Sequence, residues 1–404
     1  MNNRDGARHV HPADLHGVAR LALSAVRVVL EQAEAVHRRM AGVRMLRATV
    51  GGITGFAFRR VRQTTEAAAR WSDARLSRSA PGTHLSTVER EVVLAAVNGL
   101  FGDLLAESGN PLAIAMRLRS DGHPLVLSKA GLSAALGEPT GKIVVLVHGL
   151  CRCDLQWRRA NHDYGQALAH DLGYTPVYLH YNSGRHISVN GREFSGLMEQ
   201  LVQAWPVPVE QVAILGHSMG GLVARSACFY AKEQGHAWLR HLDHMVLIGT
   251  PHHGAPLERH GNWLGAVMGR SALTAPLARL GEMRSAGITD LRYGNLVDQD
   301  WHGRNRFEHA QDQRLPVPLP KGVKCYAIAG TTGRRLGDIR DRLLGDGVIP
   351  MDTALGLHED PARNLNFPKT RQFIAFGVHH LDLLSRADVY GKIQDWLSAG
   401  PRRP

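Results

Sequence analysis

The sequence around Ser218 is typical of a serine nucleophile carried on a sharp turn. Ser218 stands in Gly216-His217-Ser218-Met219-Gly220, after the apolar run 212–215 and before the helical pattern 222–227. A strand that reverses sharply into a helix strains the serine backbone and leaves no room for side chains beside it, which accounts for the glycines. The pattern therefore predicts a nucleophile elbow, with the amide of Met219 at a positively polarised helix N-terminus.

A serine hydroxyl is a poor nucleophile at neutral pH, so it needs a histidine base within hydrogen-bond reach. We assign this base to His380, which lies in a loop between the last apolar strand and the closing helical pattern. His379 is the alternative, because it stands in the same loop. Histidine suits the role because its pKa lies close to neutral pH.

The base in turn needs an acid that holds its ring in one tautomer. Asp346, between Gly345 and Gly347, is our candidate because it lies between the nucleophile and the base, the order expected for this elbow. An Asp-Gly pair also forms ordinary turns, which is the structural alternative. The other acids in that order are Asp338, Asp341 and Asp243.

Two backbone amides are expected to stabilise the oxyanion of the tetrahedral intermediate. One is that of Met219, and the other is that of Leu150, in the loop that follows the apolar run 142–147 and His148-Gly149. His148 is expected to shape this loop rather than to transfer protons. His252 and His253 suggest a metal site, but they lack acidic ligands at a recognisable spacing, so we expect them to line the site.

The elements that must position these residues alternate between strand and helix. Apolar strand patterns occur at 142–147, 175–181, 212–215, 244–249, 323–329 and 372–376, and helical patterns at 161–172, 191–205, 222–227 and 389–397. A hairpin is predicted at 113–127. This alternation predicts an α/β fold with a mostly parallel, doubly wound sheet.

Between Pro251 and Pro320 the alternation stops, which indicates an insertion. We expect a helical lid at about 252–320 that supplies an apolar substrate pocket, with Trp263, Leu264 and Val267 as its lining residues. The alternative is a helical segment that packs on the core without covering the site.

Residues 1–110 are predicted to form a basic helical N-terminal region, and 111–404 the α/β domain. The first 90 residues hold fifteen arginines, no lysine and seven acidic residues. Helices are expected at 15–40 and, after a capping box at 86–89, to about Leu105. The arginines either contact a lipid surface, together with the uncharged segment 48–58, or form a solvated face.

The composition of the 404 residues is that of a globular protein with a formal charge of +12. No apolar stretch reaches the roughly 18 residues that a spanning helix needs, and the N-terminus lacks a signal-type pattern, so a cytoplasmic location is expected, with peripheral membrane contact as the alternative. The four cysteines are expected to be free thiols. We expect no cofactor, no metal and no nucleic-acid partner.

These motifs resemble those of α/β-hydrolase lipases and esterases, especially the GPI-inositol-deacylase-like group and bacterial triacylglycerol lipases. The resemblance rests on Val147-His-Gly-Leu150, the Ser218 pentapeptide, Gly249-Thr-Pro-His-His-Gly254, Asp346-Gly-Val-Ile-Pro350 and His380-Leu-Asp-Leu-Leu384. It implies an α/β-hydrolase fold and cleavage of hydrophobic carboxyl esters by Ser218, Asp346 and His380. The cysteines at 151 and 153 depart from the family pattern.

Two alternatives to hydrolysis stay open at this point. The same three residues could transfer an acyl group to an alcohol when water is excluded, and only the products distinguish that reaction from hydrolysis. A membrane-associated binding or scaffold protein with an inactive hydrolase core is the alternative outside enzymes.

Overall fold

The structure is a computed structural model, which describes residues 14, 16–18, 20–21, 86–255, 284–304, 312–334 and 345–398. In order along the chain, its helices and strands are α1 (Val88–Glu107), β1 (Arg117–Ser120), β2 (His123–Pro124), α2 (Lys129–Leu136), β3 (Lys142–Val147), α3 (Tyr164–Leu172), β4 (Thr175–His180), α4 (Ile187–Ala204), β5 (Gln211–His217), α5 (Met219–Gln234), β6 (Leu242–Ile248), α6 (Ala286–Tyr293), β7 (Lys324–Thr331), α7 (Met351–Ala354), β8 (Gln372–Phe376) and α8 (Ala387–Ser398).

Within the described residues, eight strands form a single sheet in the order β2-β1-β4-β3-β5-β6-β7-β8. The strands from β3 to β8 run parallel, and the hairpin of β1 and β2 is antiparallel to β4 at one edge. Strand β3 is buried along almost its whole length, and both α3 and α5 pack against it. The predicted α/β-hydrolase fold is confirmed.

The topology brings the carboxyl ends of β3, β5, β6 and β7 to the same edge of the sheet. In the register of the central pairs, Val147 lies opposite Gly216 and His217 lies opposite Ile248. The loops that follow these strands carry the oxyanion candidate Leu150 and the nucleophile candidate Ser218. Ligand sites of open α/β sheets form at this edge, where neighbouring loops diverge.

Several boundaries differ from the sequence predictions. The capping residue of α1 is Thr87 rather than Ser86, because the amide of Arg90 donates to Thr87 Oγ1 at 3.2 Å. Helix α2 was not predicted; its N-cap is Ser128, whose side chain accepts from the amide of Gly131, and Gly137 with a positive φ ends it. The predicted hairpin is present, but its strands are shorter than the pattern indicated.

The chain divides into two compact units, residues 1–90 with 105–113 and residues 91–104 with 114–404. Within the first, the guanidinium of Arg90 binds the carboxylate of Asp14 at 2.6 Å, and Asn110 donates to the carbonyl of Gly17 at 3.0 Å. Most of the predicted helix 15–40 and the whole segment 48–62 lie outside the described residues. The domain boundary at 110/111 stays a prediction.

Part of the insertion between β6 and β7 is described, and this part packs on the core. Asp290 in α6 accepts hydrogen bonds from the amide of Ile187 at 2.8 Å and from His186 Nδ1 at 3.0 Å. Ser226 in α5 donates to the carbonyl of Leu296 at 2.6 Å. The described residues of the insertion contain no strand, in agreement with the sequence, and none of the described helices is long and apolar enough to span a membrane.

Candidate active site

Ser218 lies on the tight turn between β5 and α5 with φ 55° and ψ −126°. This backbone conformation is strained for a residue with a side chain and costs of order 1–3 kcal/mol. The fold holds it in place, because the amide of Ser218 donates to the carbonyl of Ile248 at 2.8 Å and its carbonyl accepts from the amide of Gly221 at 3.1 Å. The turn has the geometry of a nucleophile elbow.

The glycines around Ser218 are required by close approaches of the backbone. A methyl group on Gly220 would overlap the carbonyl oxygen of Val147 and lie 2.6 Å from that of His148. A methyl group on Gly216 would lie 2.6 Å from Cα of Gly221. The glycines therefore let α5 begin directly against the end of β3, where the loop that bears Leu150 also begins.

We expect Gly220→Ala to destabilise the fold and to lower activity together, because the added methyl group overlaps backbone atoms that cannot move independently. Overpacking of this kind costs about 1–3 kcal/mol or more, which thermal unfolding would detect as a fall of several degrees in Tm. The matched control is Gly196→Ala in α4, where an added methyl group meets nothing within 4 Å. If both variants unfold at the temperature of the wild type, Gly220 does not lie as close to the carbonyl groups of Val147 and His148 as described.

His380 and Asp346 form a buried pair at the carboxyl edge of the sheet. Nδ1 of His380 lies 2.6 Å from Oδ2 of Asp346, and the amide of His380 donates to the carbonyl of Asp346 at 3.0 Å. Asp346 Oδ1 accepts from the amides of Val348 and Ile349 at 3.0 and 2.8 Å. The carboxylate is therefore fixed on both oxygens, and it selects the tautomer of His380 with the proton on Nδ1.

Contacts around β6 place His380 beside the elbow. The residue before the nucleophile, His217, donates from Nε2 to the carbonyl of His380 at 3.3 Å, and a methyl group on Gly249 would lie 3.0 Å from Cε1 of His380. Nε2 of His380 is buried and makes no hydrogen bond to any described residue, Ser218 included. Catalytic hydrogen bonds are often long in unliganded enzymes. Because Asp346 keeps the ring proton on Nδ1, Nε2 is the atom of His380 that could accept a proton.

The alternative base and acids occupy other places. The side chain of His379 is exposed, whereas that of His380 is 3 % exposed. Asp243 is buried within β6, away from the loops that follow the strands. Asp338 and Asp341 lie outside the described residues. The structure thus brings together Ser218, His380 and Asp346 among the candidates that it describes.

The loop after β3 presents the amide of Leu150 next to the elbow. A methyl group on Gly149 would lie 3.0 Å from Cβ of Ser218, so the two backbones touch here. The following amide, that of Cys151, donates to Ser183 Oγ at 3.0 Å, and Cys151 has a positive φ of 58°. Within the described part of the chain, the amides of Leu150 and Met219 donate no hydrogen bond. Both amides could therefore donate to an oxyanion, as an oxyanion hole requires.

The thiols that depart from the family pattern are buried in this loop. Cys151 and Cys153 are free, as predicted, and burial raises the pKa of each to about 12. A thiol is nucleophilic only as the thiolate, so both groups are unreactive near neutral pH. They fill space beneath the loop and do not compete with Ser218.

Four charged or titratable side chains that the sequence did not single out lie buried beneath the same loop. Arg119 Nη1 donates to Glu91 Oε2 at 2.9 Å and to Asp154 Oδ1 at 3.2 Å, and His180 Nδ1 lies 3.0 Å from Asp154 Oδ1. Burial opposes ionisation of Asp154, but the contacts with His180 and Arg119 lower its pKa overall. We call Glu91, Arg119, Asp154 and His180 the buried charge cluster.

The buried charge cluster contains the one group of potential metal ligands among the described residues, Glu91, Asp154 and His180. Arg119 already contacts both carboxylates, so its guanidinium supplies the positive charge that a cation would bring. The cluster ties α1, β1 and β4 to Asp154, four residues after Leu150. It therefore fixes the position of the loop that carries the oxyanion candidate.

Of the two histidines in the Gly249–Gly254 motif, His252 is fully buried. Its Nδ1 lies 3.2 Å from Nη1 of Arg225, a buried arginine in α5 that donates to the carbonyl of Val317 at 2.6 Å. His253 donates its amide to Thr353 Oγ1 at 2.9 Å. These contacts join α5 to both ends of the insertion. The predicted lining residues Trp263, Leu264 and Val267 lie outside the described residues.

Three buried histidines near the elbow predict a loss of stability in acid. Burial lowers the pKa of His148 to about 3 and keeps those of His217 and His252 well below the usual value. The folded protein therefore keeps these rings neutral, whereas the unfolded chain protonates them below about pH 6.5. Each ring should subtract about 1.4 kcal/mol from the free energy of unfolding for every pH unit below that value.

Urea unfolding between pH 7.5 and 5 would measure this slope. His148→Gln should reduce the slope by the contribution of one proton, about 1.4 kcal/mol per pH unit. His123→Gln is the control, because His123 is exposed. A free energy of unfolding that does not change with pH over this interval would contradict the assignment of neutral rings.

The chain matches one known protein family over part of its length. Residues 138–314 match the model of the PGAP1-like alpha/beta domain, a range that runs from β3 through the elbow into the insertion. No curated protein sequence matches the chain. The chain resembles PGAP1-like proteins and bacterial lipases in its α/β-hydrolase fold.

Lipases and esterases are among the solved structures that resemble the chain. The mature lipase BlEst2 of Bacillus licheniformis is 15 % identical, with a TM-score of 0.42 over 65 % of this chain and 95 % of that one. Lipase B of Aspergillus fumigatus is 14 % identical, with a TM-score of 0.41 over 73 % and 59 %. The phospholipase PlaB of Legionella pneumophila is 18 % identical, with a TM-score of 0.32 over 53 % and 44 %.

Proposed function

We propose that this α/β-hydrolase domain, which is PGAP1-like over residues 138–314, cleaves carboxyl esters of hydrophobic substrates through an acyl-enzyme on Ser218. The observation that carries the proposal is the strained elbow at Ser218 beside a buried His380–Asp346 pair whose Nε2 has no hydrogen-bond partner among the described residues. A buried base atom without a partner costs free energy, so its presence beside the elbow supports a role in a reaction.

The reaction would proceed in two steps. Ser218 Oγ attacks the ester carbonyl carbon while His380 Nε2 takes its proton, and the oxyanion forms between the amides of Leu150 and Met219. His380 then gives the proton to the departing alcohol, which leaves the acyl group on Ser218. Water, deprotonated by His380, attacks the acyl-enzyme, the bond between the acyl carbon and Ser218 Oγ breaks, and His380 returns the proton to Oγ as the acid leaves. No cofactor takes part in these steps.

Two features bear on where the substrate binds. The PGAP1-like match extends into the insertion after β6, and this insertion begins at the carboxyl edge of the sheet, where β6 ends at Ile248. We propose that the insertion supplies an apolar pocket. Contact of the basic N-terminal region with a lipid surface and a cytoplasmic location are further proposals, and the residues that bear on the first lie mostly outside the described part of the chain.

The experiment that tests the function compares the protein with Ser218→Ala on 4-nitrophenyl esters from acetate to palmitate. We expect hydrolysis that disappears in the variant, together with labelling of Ser218 by a fluorophosphonate, and the optimum chain length distinguishes a lipase from a short-chain esterase. Ester formation in the presence of added alcohol would instead favour acyl transfer. Absence of both hydrolysis and labelling would favour the binding or scaffold protein.

A further inference from the structure

The ring of His148 takes no part in the proposed reaction steps, although it lies at the site. His148 follows the last residue of β3 and precedes Gly149 and Leu150, the proposed oxyanion donor. Its side chain is buried, and its ring stacks on that of Tyr181 with the centroids 4.3 Å apart and the planes 19° from parallel. A titratable ring is therefore held against the start of the loop after β3.

Two backbone groups determine the tautomer of His148. The amide of Tyr181 donates to Nε2 at 3.4 Å, and the carbonyl oxygen of Gly149 lies 2.9 Å from Nδ1. An amide can only donate and a carbonyl oxygen can only accept, so Nε2 carries no proton and Nδ1 carries one. Burial, followed by repulsion from His180, lowers the pKa of His148 to about 3, so the ring is neutral near pH 7. His148 therefore donates from Nδ1 to the carbonyl of Gly149.

The carbonyl of Gly149 and the N–H of Leu150 belong to the same peptide group. This group is planar and trans, so its carbonyl and its N–H point in opposite directions. The hydrogen bond from His148 to the carbonyl therefore also sets the direction of the Leu150 N–H. If the group turned over, its carbonyl oxygen would take the place of the N–H, and an oxyanion would be repelled rather than stabilised.

The glycine at position 149 makes such a restraint necessary. A methyl group here would lie 3.0 Å from Cβ of Ser218, so the close approach of the loop to the elbow favours glycine. Glycine also gives the backbone its widest choice of conformations, and a peptide group next to it turns over more easily than elsewhere. The close approach to Ser218 thus brings a backbone freedom that would disorder the oxyanion donor.

Other contacts hold the peptide groups on either side of this one. The hydroxyl of Tyr181 donates to the carbonyl of His148 at 2.8 Å, and the amide of Cys151 donates to Ser183 Oγ at 3.0 Å. The first contact restrains the peptide group between residues 148 and 149, and the second restrains the one between residues 150 and 151. Nδ1 of His148 holds the group between them.

We propose that His148 is a positioning residue, whose Nδ1–H holds the Gly149–Leu150 peptide group in the orientation that directs the Leu150 N–H toward the oxyanion. This role rests on the proposed function of Ser218 and names the group that prepares its oxyanion hole. His148 acts through the backbone rather than by contact with the substrate. Its effect is therefore on the tetrahedral transition state more than on substrate binding.

Two replacements of His148 separate the donor from the bulk of the ring. His148→Leu has no donor, whereas His148→Asn carries an NH₂ group at the position of Nδ1. On a 4-nitrophenyl ester, we expect His148→Leu to lower kcat about tenfold to a hundredfold, because complete loss of an oxyanion donor costs about a hundredfold to a thousandfold. KM should stay within a few-fold of the wild type, and His148→Asn should recover most of the lost activity.

Inhibition by an alkylboronic acid separates the effect on the oxyanion from a loss of stability. Ser218 Oγ adds to the boron and its proton passes to His380, which leaves a negatively charged tetrahedral boronate with an oxygen in the place of the oxyanion. The inhibition constant should rise in His148→Leu by about the factor by which kcat/KM falls. A change that only lowers the free energy of unfolding would not alter this constant in the folded protein.

The matched control is His244→Leu. The ring of His244 is also buried on the sheet, and its Nδ1 lies 3.2 Å from the hydroxyl of Tyr326. His244 lies near the start of β6, away from the carboxyl edge that carries the site. This variant should lower Tm, but it should leave kcat and the inhibition constant within a few-fold of the wild type.

The tautomer of His148 can be measured by ¹⁵N NMR without reference to activity, and also if His148→Leu does not fold. The imidazole signals that disappear in His148→Asn should be those of a neutral ring with its proton on Nδ1. A neutral ring with its proton on Nε2 overturns the inference, because Nδ1 could not then donate to Gly149.

The kinetic outcomes distinguish failure of this inference from failure of the proposed function. The role of His148 is overturned, with the esterase intact, if folded His148→Leu keeps the kcat and the boronate affinity of the wild type. It is also overturned if His148→Asn loses as much activity as His148→Leu, or if His244→Leu shows the same loss. If the wild-type protein shows no Ser218-dependent hydrolysis and no fluorophosphonate labels Ser218, both proposals are wrong.

Discussion

Replacement of His380 by alanine is expected to lower kcat for ester hydrolysis roughly a millionfold, with a much smaller change in KM. The reason is that His380 Nε2 is the proposed base for Ser218, while the proposed substrate pocket and oxyanion amides do not depend on its ring. The variant should fold, because removal of the ring leaves the backbone hydrogen bond from His380 to Asp346 in place. Single-turnover and steady-state kinetics on a 4-nitrophenyl ester would measure the effect.

The neighbouring histidine provides a close control. His379→Ala removes the same type of ring from the same loop, but this side chain is exposed and should leave kcat within a few-fold of the wild type. If His379→Ala abolishes activity and His380→Ala does not, the assignment of the base is wrong.

Asp346→Asn is expected to lower kcat about ten-thousandfold although it changes the shape of the side chain very little. Oδ1 accepts hydrogen bonds from the amides of Val348 and Ile349, so the amide oxygen of asparagine should take this place and its NH₂ group should face His380. Because this group donates, Nδ1 of His380 must then accept, and the proton moves to Nε2. An imidazole in this tautomer cannot take the proton of Ser218.

A pH-rate profile and a crystal structure of the variant would show an intact fold with a nearly inactive site. Asp352→Asn is the matched control, because Asp352 is exposed and lies only six residues along the chain. If Asp346→Asn has near-normal activity and Asp338→Asn or Asp341→Asn loses activity, the acid that orients His380 is one of those two residues rather than Asp346.

Strands β3, β5 and β6 were predictable because each is buried along almost its whole length, as in a sheet covered on both faces. Lys142–Val147 and Gln372–Phe376 have the predicted boundaries, since a continuous apolar run ends where a polar or glycine residue begins. Helix α2 was missed because it is short and its apolar pattern is weak. Its boundaries depend on the Ser128 cap and on Gly137, which are ordinary in a loop as well.

Some residues of the candidate site could likewise be predicted from the sequence, and others could not. Ser218, Asp346 and His380 could be proposed from the sequence because each stands in a local pattern of glycines, strand ends and helix starts that has a steric reason. The buried charge cluster has no such pattern: Glu91, Arg119, Asp154 and His180 are up to 89 positions apart and meet only when α1, β1 and β4 have assembled.

The buried charge cluster also constrains how this protein can change over evolutionary time. Removal of one member leaves an opposite charge buried without its partner, at a cost of about 3–5 kcal/mol, whereas replacement of the whole set by well-packed apolar side chains is close to neutral. Most single substitutions in the cluster would therefore remove a large part of the free energy of unfolding of a typical domain. Among descendants of a common ancestor, the four positions are therefore expected to be inherited or lost together.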